Sequence, residues 1–232
     1  MKILCTICAR AGSKGVTNKN LRLINGLPLI AYSLRQAVES KLFSQIAVSS
    51  DSPEIRDTAL AHGATFVVDR PAEMASDTAP KLPAIRHCVE TTEKEFGQFD
   101  IIIDLDATAP LRIVADIIGS LDLLTATNAD NVITGTPAHR SPYFNLVEQD
   151  ENGIVQLSKP LKNAVTRRQD SPKCFDMNAS IYVWRRDALL NNPSLFASST
   201  RLFEMPRERS FDIDSEADFE MVEWMMSKGS AR

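Results

Sequence analysis

An uncharged, largely apolar run from Ile3 to Ala9 leads directly into a polar, glycine-containing loop, Arg10 to Asn20, and this junction constrains the fold more than any other feature. Lys2 to Ala9 predicts a first strand that is apolar on both faces, as in the centre of a parallel sheet. The same rhythm recurs down the chain. Pro28 opens a helix to about Ser40 with apolar positions at helical spacing, Ser44 to Ser49 is a second strand, and Pro53 to His62 is a helix stopped by Gly63. Thr65 to Val68, Ile101 to Leu105 and Asn131 to Thr134 are further strands, separated by helices over Lys81 to Phe96 and Ile113 to Thr127. Strands alternating with helices of this length imply βαβ units, and so an α/β fold with a mostly parallel sheet covered on both faces. From Pro137 the pattern changes. Tyr143 to Val147 and Ile154 to Leu157, joined by Asp150 to Gly153, predict a hairpin. The α/β pattern then resumes with a strand at Ala179 to Trp184, a short helix at Arg186 to Leu190, and a closing helix at Ser215 to Ser227 whose Ser215 and Asp218 form a capping-box pair. We read residues 1–232 as one domain carrying an insertion at residues 137–178 that serves as a lid or dimer arm.

Composition narrows the function classes. The 26 basic and 30 acidic residues give a net charge of −4, with the cations scattered, so nucleic acid is not the expected partner. Near the start, the longest apolar run is far below the roughly 18 residues a membrane helix needs, and no secretory signal pattern precedes it; a cytoplasmic protein with no membrane partner is expected. The four cysteines are too few and too unevenly placed for a disulfide framework. Cys5 and Cys8 have metal-type spacing, but residues three apart on a strand point to opposite faces. The three histidines fall in no paired spacing, and no nucleophile elbow is present.

The loop Arg10-Ala-Gly-Ser-Lys-Gly-Val-Thr-Asn-Lys-Asn20 leaves the carboxyl end of a buried strand, where open α/β sheets bind ligands. Gly12 and Gly15 let backbone N–H groups approach an anion, and Arg10, Lys14 and Lys19 add positive charge, a combination suited to a polyphosphate. It matches neither the Walker A pattern nor the dinucleotide fingerprint. The same residues also fit a solvated basic loop. In Ser210-Phe-Asp-Ile-Asp214, extended backbone puts Asp212 and Asp214 on one face, with Phe211 and Ile213 anchoring the other. Such a pair suits Mg²⁺, which takes one or two protein carboxylates and completes its shell with water and phosphate oxygens. Taken alone, the pair reads first as the lead-in and cap of the last helix. Asp104 and Asp106 repeat the spacing at the end of a strand. Arg167 and Arg168, with Asp176-Met-Asn-Ala-Ser180, form an anion-capable patch, and arginine's planar fork makes Arg168 a candidate for a carboxylate-bearing substrate.

Four segments, Cys8 to Asn20, Arg70-Pro-Ala-Glu-Met-Ala-Ser-Asp-Thr78, Thr108-Ala-Pro-Leu-Arg112 and Phe211-Asp-Ile-Asp214, in this order and spacing, resemble the CMP-sialic acid synthetases, the acylneuraminate cytidylyltransferases. Ile3 to Arg10, Ile103 to Arg112 and Lys173 to Tyr182 look most like the bacterial branch acting on N,N′-diacetyllegionaminic acid. The resemblance implies a three-layer Rossmann-like nucleotidyltransferase fold and Mg²⁺-dependent transfer of CMP from CTP to a nine-carbon 2-keto sugar acid, a nonulosonic acid, with release of pyrophosphate. It further implies that Arg10, Ser13, Lys14, Lys19 and Asn20 hold the triphosphate, with Arg70, Ser76 and Thr78 near the cytidine. By the same matching, Asp212 and Asp214 bind Mg²⁺, and Asp106, Arg168, Asp176 and Asn178 face the sugar. Arg10, Lys19 and Asp214 act in catalysis, the general base being Asp214 or a water on the metal. The hairpin matches a dimerisation element, which makes a homodimer the expected state. Where the sialic acid enzymes usually carry glutamine, proline and a second arginine, this chain has Asp106, Ala107 and Asp176, which favours a sugar other than N-acetylneuraminate. A CMP-N-acetylneuraminate synthetase is the alternative expectation, followed by a non-catalytic nucleotide-binding module and a nucleotide-sugar-dependent glycosyltransferase.

Overall fold

The structure is a computed structural model that describes residues 1–12, 15–163 and 167–229. In chain order the elements are β1 (Ile3–Cys8), β2 (Leu23–Ile24), β3 (Leu27–Pro28), α1 (Leu29–Ser40), β4 (Gln45–Ser50), α2 (Pro53–Ala61), β5 (Phe66–Asp69), α3 (Lys81–Phe96), β6 (Ile101–Leu105) and α4 (Val114–Thr127). They continue with β7 (Asn131–Pro137), β8 (Val147–Gln149), β9 (Val155–Leu157), β10 (Phe175–Arg185), α5 (Arg186–Asn191), β11 (Arg201–Glu204) and α6 (Glu216–Gly229).

The central sheet has seven strands in the order β11-β7-β10-β6-β1-β4-β5. Only β10 runs against its neighbours, antiparallel to both β6 and β7, while the β1–β4, β1–β6, β4–β5 and β7–β11 pairs are parallel. Side-chain alternation sorts β1 into two cores. Ile3, Cys5 and Ile7 pack with residues of α1, α2 and α4, whereas Leu4 packs with α3 and α5 on the other face. The result is a three-layer α/β architecture in which Cys5 and Cys8 face opposite sides of the sheet. Burial pushes both thiols up, Cys8 to about 12, so neither is poised for metal or redox work.

Parallel strands align their carboxyl ends, so Cys8, Ser50, Asp69 and Leu105 finish along one edge. A third apolar cluster, Val16, Ile24, Leu29, Ile213, Phe219 and Val222, closes that edge by pinning the first loop, the β2–β3 ribbon and α6 together. Ser215 and Asp218 start α6 as a reciprocal cap: the Ser215 amide donates to Asp218 Oδ2 (2.8 Å), and the Asp218 amide to Ser215 Oγ (3.2 Å).

Several elements differ from the expectations, among them the short strands β2 and β3, which fall where no strand is predicted. β11 falls where no strand is predicted, because its half-buried, four-residue pattern lacks clear alternation. β10 begins at Phe175 instead of Ala179, with a register shift between Met177 and Tyr182 around Ala179, whose φ is 52°. The first hairpin strand starts at Val147, since the amides of Phe144, Asn145 and Leu146 all donate to the Ser141 carbonyl and wind that stretch into a turn.

Candidate active site

The first loop crosses from the end of β1 to the segment before α6. The Asn20 side-chain amide donates to the Arg10 carbonyl at 3.1 Å and holds the loop's two ends together. Lys19, whose side chain is only 12% exposed, donates through Nζ to the Ile213 carbonyl and lies 3.3 Å from Asp214 Oδ1. Gly15 lies against the backbone of Asp214 so closely that a Cβ would stand 1.8 Å from that residue's carbonyl oxygen. The Arg10 guanidinium pairs with Asp77 at 2.9 Å. Ser13 and Lys14 lie outside the described residues.

The end of β5 supplies Arg70, which is buried and donates to the Ser49 carbonyl (2.6 Å) and hydroxyl (3.1 Å). The following turn, Ala72–Met74, carries the chain over the cavity so that Met74, Ser76 and Asp77 line it. Thr78 is exposed and stands off the wall.

The end of β6 provides a charged network. Asp106 Oδ1 accepts from the Thr108 amide (2.9 Å), and the single proton of the Thr108 hydroxyl is shared between Asp106 Oδ1 (2.6 Å) and Asp212 Oδ1. Lys81, at the start of α3, sits 2.7 Å from Asp106 and 2.9 Å from fully buried Asp104, whose other oxygen accepts from the Thr6 hydroxyl. Burial opposes these charges, but the two carboxylates outweigh it at Lys81 and raise its pKa, while Lys81 and the Thr108 bonds hold the Asp106 carboxyl well below the carboxylate range. Asp212 goes the other way: burial, then repulsion from Asp106 and Asp214, lifts it to about 6. Beneath this network buried Arg112 donates to the carbonyls of Asp106 (2.7 Å) and Ser180 (2.8 Å) and bonds the Ser33 hydroxyl.

Arg10, Lys19, Asn20, Arg70, Ser76, Asp106 and Asp214 thus line one cavity of about 460 Å³, and Asp212 stands one hydrogen bond behind its wall. Arg168, Asp176 and Asn178 do not share it. Asp176 and Asn178 line a cleft of about 170 Å³ with Ser210 and Phe211, where Asp176 accepts from the His139 amide (2.8 Å) and Asn178 bridges Thr134 and Ser210. Arg168 donates to the Ala138 carbonyl in a hollow of about 520 Å³ walled by the chain between Pro137 and Phe175, which Arg140 and Lys173 also line. Sequence reasoning did not single out Lys81 or Arg112. Lys81 reads as an ordinary helix residue, and the one available signal was its place just after the polar segment ending at Thr78.

Among the described residues no group of three or more His, Cys, Asp or Glu side chains could enclose a metal, so an ion at this site would have few protein ligands. Asp212 and Asp214 supply the number Mg²⁺ takes when phosphates and water complete its shell, and a cation there would offset the burial and the repulsion from Asp106 and Asp214 that raise Asp212. No helix among the described residues is long and apolar enough to cross a membrane.

A mostly parallel sheet with a cationic loop meeting a carboxylate pair at its carboxyl edge is a Rossmann-like α/β arrangement with an anion-binding site where such sheets bind their ligands. The family profile described as Cytidylyltransferase matches residues 4–225. The chain belongs to that cytidylyltransferase family. It is 50% identical to post-translational flagellin modification protein B of Campylobacter coli, over 98% of this chain and 96% of that protein. It is 49% identical to CMP-N,N′-diacetyllegionaminic acid synthase of Campylobacter jejuni subsp. jejuni serotype O:2, over 97% and 95%. Among solved structures, CMP:2-keto-3-deoxy-manno-octonic acid synthetase in complex with CTP superposes with a TM-score of 0.72 over 99% of this chain and all of that one, at 20% identity, a likeness of fold.

Proposed function

We propose that this enzyme transfers the CMP group of CTP to the anomeric hydroxyl of a nonulosonic acid of legionaminic type, releasing pyrophosphate, and does so in the cytoplasm as a homodimer. The observation that carries the reading is the packing of Gly15 on the Asp214 backbone, which joins the cationic loop to the acidic pair across one cavity. The 49% identity to a legionaminic acid synthase supports the choice of sugar.

In this reading Arg10, Lys19, Asn20 and the loop residues Ser13 and Lys14 hold the triphosphate. Arg70, Ser76 and Thr78 lie toward the nucleoside, with Arg70 fixed by its bonds to Ser49. The sugar hydroxyl attacks the α-phosphorus, the bond to the β-phosphate oxygen breaks, and the hydroxyl proton leaves to Asp214 or water. No covalent intermediate on the protein is required, so the work is alignment and neutralisation of charge on the departing pyrophosphate. Asp212 and Asp214 would hold Mg²⁺, which supplies part of that neutralisation. Arg10 must exchange its partner Asp77 for phosphate on binding. Asp106 meets the sugar in this cavity; Arg168, Asp176 and Asn178, in their separate hollows, are assigned to it by the resemblance alone, and the insertion at 137–178 packs against a second copy. Incubation with CTP, Mg²⁺ and a panel of N-acetylneuraminic, legionaminic, pseudaminic and 3-deoxy-octulosonic acids, following pyrophosphate, tests the reading. Preference for N-acetylneuraminate would reassign the sugar alone, and CTP binding without release would leave a binding module.

A further inference from the structure

Lys81 lines the cavity yet has no part in the scheme above. Its hydrogen-bonding capacity, and that of its partner, can be counted. Asp106 Oδ1 accepts from the Thr108 amide and shares the Thr108 hydroxyl proton with Asp212, while Oδ2 accepts one bond, from Lys81. A carboxylate oxygen has two lone pairs, so Oδ2 keeps one. Lys81 has three N–H donors, and the two carboxylates beside it use two at most. Asp104 is fully buried and cannot reach the cavity, whereas the side chains of Lys81 and Asp106 remain 33% and 18% exposed. The pair therefore offers the cavity one donor and one acceptor side by side.

We propose that Lys81 is a specificity-determining residue which, together with Asp106, reads a neutral donor–acceptor group on the acceptor sugar acid, a hydroxyl or an acetamido. The proposal rests on the cytidylyl-transfer reading given above. Such a group accepts from Lys81 and donates to Asp106; a carboxylate in its place would satisfy Lys81 but face the Asp106 charge. Asp106 serves as an acceptor and not as the general base, because Lys81 and Thr108 spend their bonds on its ionised form. A site that pairs both members rejects a ligand lacking the matching group, since its polar atoms are then left without partners.

The test measures kcat and KM for CTP and for the sugar panel in wild type, Asp106→Asn, Lys81→Arg and the double variant Asp104→Asn/Lys81→Met. Removing Lys81 alone would strand buried Asp104, and the double variant removes that charge as well. The expected result for Asp106→Asn and the double variant is a sugar KM raised at least about tenfold and an altered order of preference among the sugars. KM for CTP changes less than about threefold, and Lys81→Arg restores part of the loss. An unchanged order of preference in variants that still bind CTP overturns the proposal, as does a loss confined to kcat with a displaced pH–rate profile. A wild type that releases no pyrophosphate with any sugar overturns the functional reading and this proposal with it.

Discussion

Gly15 and Asp214 lie 199 positions apart in the chain, yet the carbonyl oxygen of Asp214 occupies the place where a Cβ on Gly15 would stand, 1.8 Å away. No side-chain rotation relieves that contact, because the oxygen belongs to the backbone and the position of a Cβ is fixed by its own backbone. Gly15→Ala must therefore separate the cationic loop from the acidic segment. Turnover is expected to fall by about 10²-fold, as displacements near 1 Å cost in aligned transfer reactions. Thermal unfolding provides the control: Gly15→Ala lowers Tm, while Gly12→Ala, whose Cβ meets nothing within 4 Å, leaves Tm unchanged.

Arg112 is the buried strut under the site. Burial pulls its guanidinium down to about 10, still charged at neutral pH, and its planar fork spans the Asp106 carbonyl, the Ser180 carbonyl and the Ser33 hydroxyl. Lysine offers a point charge that cannot reach all three. Arg112→Lys is expected to cost about 1–3 kcal/mol in urea unfolding, the scale of a buried charge-assisted bond left unmade. An unaltered midpoint would show that Arg112 does not brace the floor.

Glu93 and Arg186 give a pH signature away from the site. Glu93 accepts two bonds from Arg186, at 2.7 and 2.8 Å, and one from the Phe99 amide; burial works against its charge, but these bonds prevail and lower its pKa. A lowered folded-state pKa stabilises above the unfolded value, about 4.3, and that stability is lost as pH falls through the folded value. Glu93→Gln should therefore destabilise at pH 7 by roughly 1–3 kcal/mol, with the gap to wild type narrowing below about pH 4. Unfolding midpoints across that range check it, and a gap independent of pH would contradict it.

The strands and helices legible in the sequence are those whose pattern is decided locally and by burial on both faces. α3 and β6 have the predicted bounds, Lys81–Phe96 and Ile101–Leu105. The reversed direction of β10 and the edge strand β11 depend on partners far along the chain, which periodicity does not encode. The site divides in the same way. The glycine loop and the Asp212/Asp214 pair are visible by composition and spacing as candidates beside a solvated loop and a helix lead-in, whereas Lys81 acquires its place in the charged network from Asp104 and Asp106, more than twenty residues away. Arg112 likewise looks like a loop residue until burial and three acceptors identify it.

The insertion leaves Leu146, Val147, Ile154 and Val155 about half exposed or more on a small two-stranded sheet. These side chains are the surface that the proposed homodimer would cover. Ile154→Asp/Val155→Asp is expected to yield monomers by light scattering at concentrations where wild type is dimeric. A monomeric wild type would contradict the assembly.

The most direct measurement is pyrophosphate release from CTP in the presence of Mg²⁺ and each sugar acid, for wild type and for Asp214→Asn. The account predicts release with a legionaminic-type acid and a fall in turnover of at least about 10²-fold in the variant. Absence of release with every sugar acid, or near-normal turnover in Asp214→Asn, would contradict it.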